Sequence, residues 1–208
     1  MSIVLFHHPF SRAANALWML EEVGVPYELH HVDILAGAQK TPEILSLNPM
    51  GKLPILKDGE TIVTEGAAIA LYLADRYSYG TLAPKVDDPA RAAYLRWAFF
   101  APSVIEPGIS TRASGWAVKE SQVGWGNYDS MIAAMESAIL GKDFILGKTF
   151  SMADVVFGGT VEYMLRVKML EPRPSFTAYA ERLLARPAAQ RARARNFAIA
   201  EDKGLNKR

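Results

Sequence analysis

Residues 48–77 constrain this chain more than any other stretch. From Asn48 they read Asn-Pro-Met-Gly-Lys-Leu-Pro-Ile-Leu-Lys-Asp-Gly-Glu-Thr-Ile-Val-Thr-Glu-Gly-Ala-Ala, and an apolar-periodic run carries on to Tyr77. Asn48-Pro49 and Gly51 punctuate a loop. Leu53 to Leu56 is a short apolar run, Asp58-Gly59 is a hairpin-turn pair, and Thr61 to Val63 is β-branched. Ala67, Ala68, Leu71, Tyr72 and Asp75 then fall at helical spacing. The predicted order is loop, strand, tight turn, strand, helix.

Pro54 stands where the first strand begins, a position in which proline is tolerated because no ladder hydrogen bond is asked of it. An exposed edge there leaves Leu53 with a free amide and carbonyl, enough to pair with one residue of an extended peptide. Glu65-Gly66 stands where the helix opens, with unpaired N–H groups and the positive end of the dipole. A carboxylate suits that end, and the Glu65 side chain suits a neighbouring ammonium. The stretch therefore offers a site for an amino-acid-like head group and an edge for the peptide behind it.

Asn48-Pro-x-Gly-Lys-Leu-Pro54 followed by Glu65-Gly-Ala-Ala-Ile69 resembles the glutathione-binding half of cytosolic glutathione transferases, and the similarity continues over nearly the whole chain. The pair of motifs at this spacing is more specific than either alone. One departure is that the family usually has serine after the acidic residue, where this chain has Gly66; a ligand there loses a hydroxyl donor and keeps the backbone N–H. The resemblance implies glutathione as co-substrate, with no bound cofactor and no metal. It places the peptide along Leu53 and Pro54, the γ-glutamyl end at Glu65 and Gly66, and Lys52 within reach of a carboxylate. Gln39 and Lys40, ahead of the second helix, would hold the glycine end.

A chain of 208 residues suits two small domains, and half of it is hydrophobic, enough for real cores. The net charge of +1 provides no field to draw nucleic acid or an acidic membrane. There are no cysteines, which excludes disulfides, thiolate metal sites and catalysis by a thiol of the protein. No apolar run has transmembrane length and no leader segment is evident, so a soluble, cytoplasmic protein is expected.

In chain order, Ser2 to Phe6 reads as a strand and His7-His8-Pro9-Phe10 as the loop after it. Ser11 is the N-cap of a helix with apolar positions Ala13, Ala16, Leu17, Leu20 and Val23, closed by Gly24. Tyr27 to Val32 is a second strand, and Thr41-Pro42 opens a second helix. The order βαβαββα predicts a thioredoxin-like α/β domain over 1–78. A linker is expected over 79–87 and an all-α domain over 88–208, with helices near 89–113, 121–140, 152–168, 175–185 and 188–196. Pro102 and Pro107 should kink or break the first of these. Ser151-x-x-Asp154 reads as a capping-box variant, a folding feature and not a catalytic one. The run Arg191-Ala-Arg-Ala-Arg195 reads as a solvated helix face.

A glutathione thiol has a pKa near 8.5, so a transferase must stabilise its thiolate. Lowering that pKa by about two units takes roughly 2.7 kcal/mol, and one charge-assisted hydrogen bond supplies about 1.5–3 kcal/mol. The family places the donor in the first strand–helix loop. Ser11 at a helix N-cap is the favoured donor, with His8 second and His7 third. His8-Pro9-Phe10-Ser11 resembles a thioredoxin-like C-P-x-C site with both cysteines replaced, and Phe6 lies about where tyrosine-type classes keep their catalyst. The adjacent histidines do not suit a metal, because neighbouring side chains at a strand end diverge. Phe10, Trp97, Phe100, Ile109, Arg112 and Trp116 are expected to line the pocket of a small hydrophobic electrophile, with core or dimer packing as the alternative for each aromatic.

The expected function is that of a glutathione transferase acting as a homodimer. A glutathione-dependent isomerase, peroxidase or dehalogenase, or a non-catalytic transferase-like binding module, are the alternatives.

Overall fold

Ile3–His7, a run without a single small or flexible residue, forms β1, an inner strand of the sheet. A computed structural model describes residues 2–205. Helix α1 (Ala13–Val23) follows, ended by Gly24 at φ 74°, whose N–H bonds the Leu20 carbonyl; only glycine takes that left-handed position without penalty. Strand β2 (Tyr27–His31), helix α2 (Pro42–Leu47), strands β3 (Ile55–Asp58) and β4 (Thr61–Thr64), and helix α3 (Gly66–Tyr77) complete the expected βαβαββα order. The sheet runs β2-β1-β3-β4, with β1 parallel to β2 and antiparallel to β3. Period-two alternation sends Phe6 and Ile55 to one face, against Val32 and Ile44 of the α2 side. Leu5 and Leu56 go to the other and are fully buried, as are Leu17, Ile69 and Leu73 of the helices α1 and α3, which contact each other.

Two local details differ from expectation. Asp58 pairs with Thr61, so the hairpin loop is Gly59-Glu60, with φ 59° at Gly59, the type II′ pattern. Asp58 is thus the last strand residue, and its buried carboxylate accepts from Tyr72 (2.8 Å) and Tyr77 and pairs with Arg76 at 3.1 Å. Strand β3 also lies between β1 and β4, so Pro54 does not sit on a sheet edge. It precedes the ladder by one residue, which equally spares the ladder a missing donor.

The chain forms two compact units, one up to Ser78 together with the segment from Arg186 onward, the other Tyr79–Ala185. The last helix, α9 (Pro187–Asp202), therefore packs with the first unit, whereas the sequence grouped it with the helices from 88 onward. Small side chains explain the close approach: Ala188, Ala189, Ala192 and Ala200 are buried. Charge explains the register. Arg186 holds Glu22 with two bonds of 2.7 Å, Arg191 holds Glu21 at 2.7 Å, and Arg195 meets Tyr27. The arginine run is thus a set of tethers to α1 and β2 and not merely a solvated face.

The second unit is helical: α4 (Ala90–Phe100), α5 (Glu106–Ala113), α6 (Tyr128–Ile139), α7 (Met152–Arg166) and α8 (Pro174–Leu184). A wide π-type turn, Ala101–Ile105, joins α4 to α5 around Pro102, which has no N–H to give to a regular ladder. Pro107 follows directly on that turn, whose Glu106 N–H reaches back to the Ala101 carbonyl, so both prolines flank the departure from a regular ladder. The segment 121–127 stays outside α6, which starts at an Asn127 cap accepting the Ser130 N–H. Ser151 and Asp154 form the expected capping box of α7. Among the described residues no helix is long and apolar enough to cross a membrane.

Candidate functional site

Phe6 pairs with Ile55, and Ile55 with Thr64. That register brings three connections to one end of the sheet: the segment leaving β1 at His7, the segment entering β3 through Leu53-Pro54, and the segment leaving β4 at Glu65. Strand β2, parallel to β1, ends there too, with His31 opposite His7. Positions scattered over sixty residues of sequence thus converge for a topological reason.

The loop before β3 is held from inside. Asn48 is buried; its side-chain Nδ2 donates to the Lys52 carbonyl (2.9 Å) and its Oδ1 accepts from the Met50 N–H (3.1 Å). Gly51 lies at φ 57°, and a Cβ there would stand 2.7 Å from the Gln39 carbonyl and 2.9 Å from Lys40 Nζ. Glycine is therefore required both by conformation and by the close approach of Gln39-Lys40. Lys40 Nζ donates to the Met50 carbonyl at 2.9 Å. Gln39 and Lys40 do sit against this loop. Lys52 is exposed, Pro54 is buried, and the Leu53–Pro54 peptide is cis.

Glu65 is the N-cap of α3 with φ 68° and ψ 121°, outside the usual regions for a residue with a side chain, and its side chain makes no cap bond. Such a conformation costs on the order of 1–3 kcal/mol and persists where the surroundings impose it, commonly at a ligand site. It leaves the first N–H groups of α3 without a side-chain cap. Glu65 is exposed and Gly66 half-buried, and a Cβ on Gly66 would meet nothing within 4 Å.

The β1–α1 segment differs most from its sequence reading. His7 ends β1 and does not open the loop, and both it and His8, the first residue of the loop, are fully buried. Asn196 of α9 donates from Nδ2 to the Pro9 carbonyl (3.1 Å), which turns its Oδ1 toward His7 Nε2 at 2.9 Å. His7 Nε2 therefore carries the ring proton. His8 Nδ1 accepts from the Phe10 N–H (3.1 Å), so its proton too sits on Nε2. With no exposed atom, His8 braces the loop instead of facing a ligand. Ser11 Oγ accepts from the Ala13 N–H (3.1 Å) and donates to the His8 carbonyl (2.9 Å), the capping expected of it, although the first helical turn starts one residue later than predicted. Ser11 is half-buried and Phe10, beside it, is 55% exposed.

Burial lowers the His7 pKa from 6.5 to about 4, with positive charge on His8 or His31 adding to the effect and the Asn196 bond opposing it. Burial and His31 likewise hold His8 below its ordinary value, opposed by Asp33. The folded protein keeps His7 neutral where the unfolded chain binds a proton, so stability is full above about pH 6.5 and falls as pH drops toward 4. Between pH 7 and pH 5 His7 alone accounts for a loss of about 2 kcal/mol. Urea denaturation at the two pH values measures it, with His7→Gln flattening the profile; a wild-type profile that is already flat would contradict this origin.

The residues expected to line an electrophile pocket do not share one environment. Trp97 and Ile109 are buried core residues of the helical unit, Trp97 packing on Phe157 with ring centroids 5.7 Å apart. They are packing residues, the alternative weighed for the aromatic. Phe100 is half-buried beside Trp97, Arg112 lies over the Tyr128 ring at 4.0 Å, and Trp116 is 66% exposed. Asn48 and Asn196 went unread as site residues. Asn48 carried a usable signal, standing before a proline at the head of the loop, whereas nothing in the sequence links position 196 to position 9.

Comparison with known proteins agrees with this geometry. The family described as Glutathione S-transferase, N-terminal domain, matches residues 1–75, and Glutathione S-transferase, C-terminal domain, matches residues 88–182. Glutathione S-transferase F14 of Arabidopsis thaliana is 31% identical over 193 residues, which covers 83% of this chain and 75% of that protein. Human glutathione S-transferase theta-2 is 30% identical over 202 residues, covering 88% and 81%. Among solved structures, the theta class glutathione S-transferase of Xanthomonas axonopodis pv. citri with glutathione bound superposes with a TM-score of 0.71 at 28% identity, covering 92% of this chain and 96% of the other.

Proposed function

The chain belongs to the glutathione transferase family and is a glutathione transferase, and we propose that the sheet end bounded by Ser11, Leu53 and Glu65 is where it binds and activates glutathione. The observation that carries this is Glu65, a non-glycine residue held at φ 68° on the uncapped N-terminus of α3. The γ-glutamyl carboxylate accepts from the N–H groups of Gly66 and the next residues, and the Glu65 carboxylate takes the ammonium. The cysteinyl part pairs with the backbone of Leu53, and Gln39, Lys40 and Lys52 face the glycine end. Ser11 stabilises the sulfur: its proton turns from the His8 carbonyl to the thiolate, exchanging a neutral hydrogen bond for a charge-assisted one.

The thiol proton passes to solvent. The thiolate then forms a carbon–sulfur bond as the leaving group departs with its electron pair, or adds to an activated double bond. The protein supplies position and a preorganised donor. Phe10, exposed on the same loop as Ser11, offers apolar surface to a small hydrophobic electrophile. A homodimer working in the cytoplasm completes the reading.

Calorimetric titration of glutathione into the protein, with thiolate absorbance recorded in parallel, tests the site. Micromolar to sub-millimolar binding with a thiolate signal below pH 7 is expected, and no binding at millimolar glutathione would overturn it. Gly66→Ser gives a sharper check. Space for the side chain is present, and a restored hydroxyl donor should tighten glutathione about three- to tenfold, the value of one added hydrogen bond of about 1 kcal/mol.

A further inference from the structure

We infer that Asn196, on the last helix, is a positioning residue for the thiolate site: it clamps the β1–α1 loop at both ends of its first turn and so sets where Ser11 stands. The inference rests on the reading of that loop as the thiolate site.

Asn196 lies 189 residues from His7 and 187 from Pro9, yet its one amide group bonds both. The Oδ1 takes the His7 ring N–H at the end of β1, and the Nδ2 gives a hydrogen to the Pro9 carbonyl two residues further on. From there the constraint passes through short links. The Phe10 N–H bonds the His8 ring, the Ser11 N–H bonds the His8 carbonyl at 3.1 Å, and the Ser11 hydroxyl bonds the same carbonyl. The segment from His7 to Ser11 has a proline at its centre and two fully buried imidazoles, so it has few ways to shift except as a body. The amide of Asn196 holds that body from α9, while the Val32 N–H, just past β2, holds the His7 carbonyl at 2.9 Å. No other standard side chain of this length presents an acceptor and a donor side by side without a charge. A carboxylate would keep the His7 bond and lose the one to Pro9. Two arginines serve a separate purpose: Arg186, the N-cap of α9, and Arg191 reach Glu22 and Glu21 on α1.

These two kinds of tether make the role testable apart from plain stability. The apparent pKa of glutathione bound to wild type, Asn196→Ala, Asn196→Asp and Arg191→Ala is read from thiolate absorbance against pH, with glutathione affinity and urea midpoint measured on the same samples. Asn196→Ala should raise the bound thiol pKa by about one unit, a tenfold loss of thiolate below it, while glutathione affinity changes less than threefold. Asn196→Asp, which retains the bond to His7, should show the same upward displacement, and its fold is kept if the alanine variant is too unstable to titrate. Arg191→Ala should lower the urea midpoint and leave the thiol pKa in place. A thiol pKa unchanged in both Asn196 variants, or displaced equally in Arg191→Ala, would overturn the inference while the thiolate site stands. A wild type that binds glutathione with an ordinary thiol pKa would overturn the thiolate reading itself and this inference with it.

Discussion

Replacing Asp154 with alanine should cost about 4 kcal/mol of stability and lower the melting temperature by about 10 °C or more. The carboxylate is fully buried and accepts four hydrogen bonds: from Ile145 N–H at 2.7 Å, Ser151 N–H at 2.8 Å, Ser151 Oγ at 3.1 Å and Tyr179 OH at 2.7 Å. Burial pushes its pKa up, against the pull of those four donors. Truncation leaves the Ile145 N–H and the Tyr179 hydroxyl buried without an acceptor, at about 1–3 kcal/mol each, and removes one half of the cap of α7 at about 1 kcal/mol. The loss reaches three parts of the helical unit together, because Asp154 ties the segment before α7 and the body of α8 to the first turn of α7. Asp154→Asn, which keeps the shape and one acceptor oxygen, should fall between wild type and alanine. Denaturation of the three proteins decides it, and a difference below about 1 kcal/mol for alanine would mean the network is dispensable.

The second large effect is on chemistry. Ser11→Ala should reduce kcat/KM about 100-fold, the equivalent of roughly 2.7 kcal/mol of lost thiolate stabilisation, with little change in the KM for glutathione. Because Ser11 Oγ also accepts the Ala13 N–H, the same change removes an N-cap and lowers stability by about 1 kcal/mol. Ser11→Asp separates the two functions. It restores the capping acceptor and the stability, but places a negative charge beside the sulfur, so the bound thiol should titrate above its value in solution. Ser11→Thr keeps both hydroxyl functions and should retain most of the activity. If alanine and wild type turn over alike, the backbone N–H groups of the loop carry the thiolate.

The sequence was most informative where local chemistry and topology coincide. Gly24, Thr41-Pro42 and Ser151-x-x-Asp154 each mark a helix end by a mechanism that acts within four residues, and each falls where the structure has one. The motif from Asn48 to Ile69 is equally legible, because its turns and its helix start need particular residues. Long-range contacts were not. The buried state of His7 and His8 depends on β2 and α9 closing over them, and alternation along Ile3–His7 does not reveal that closure. Trp97 and Ile109 were expected to face a ligand, yet aromatic and aliphatic residues on a helix look alike in sequence whether they line a pocket or fill a core. Arg191 and Arg195 read as solvated because their carboxylate and phenol partners lie more than 160 residues away.

The return of α9 to the first unit bears on how the protein is made. A ribosome delivers residues 79–185 before residues 187–202, so the helical unit can complete its own core while the glutathione-binding half still lacks the helix that covers α1 and pins the β1–α1 loop. Folding of the first unit therefore finishes after that of the second, the reverse of the usual N-terminal-first order. A nascent chain stalled short of Pro187 should be unable to protect the amides of β1 and α1, and the thiolate site should mature only once the last helix is free of the exit tunnel.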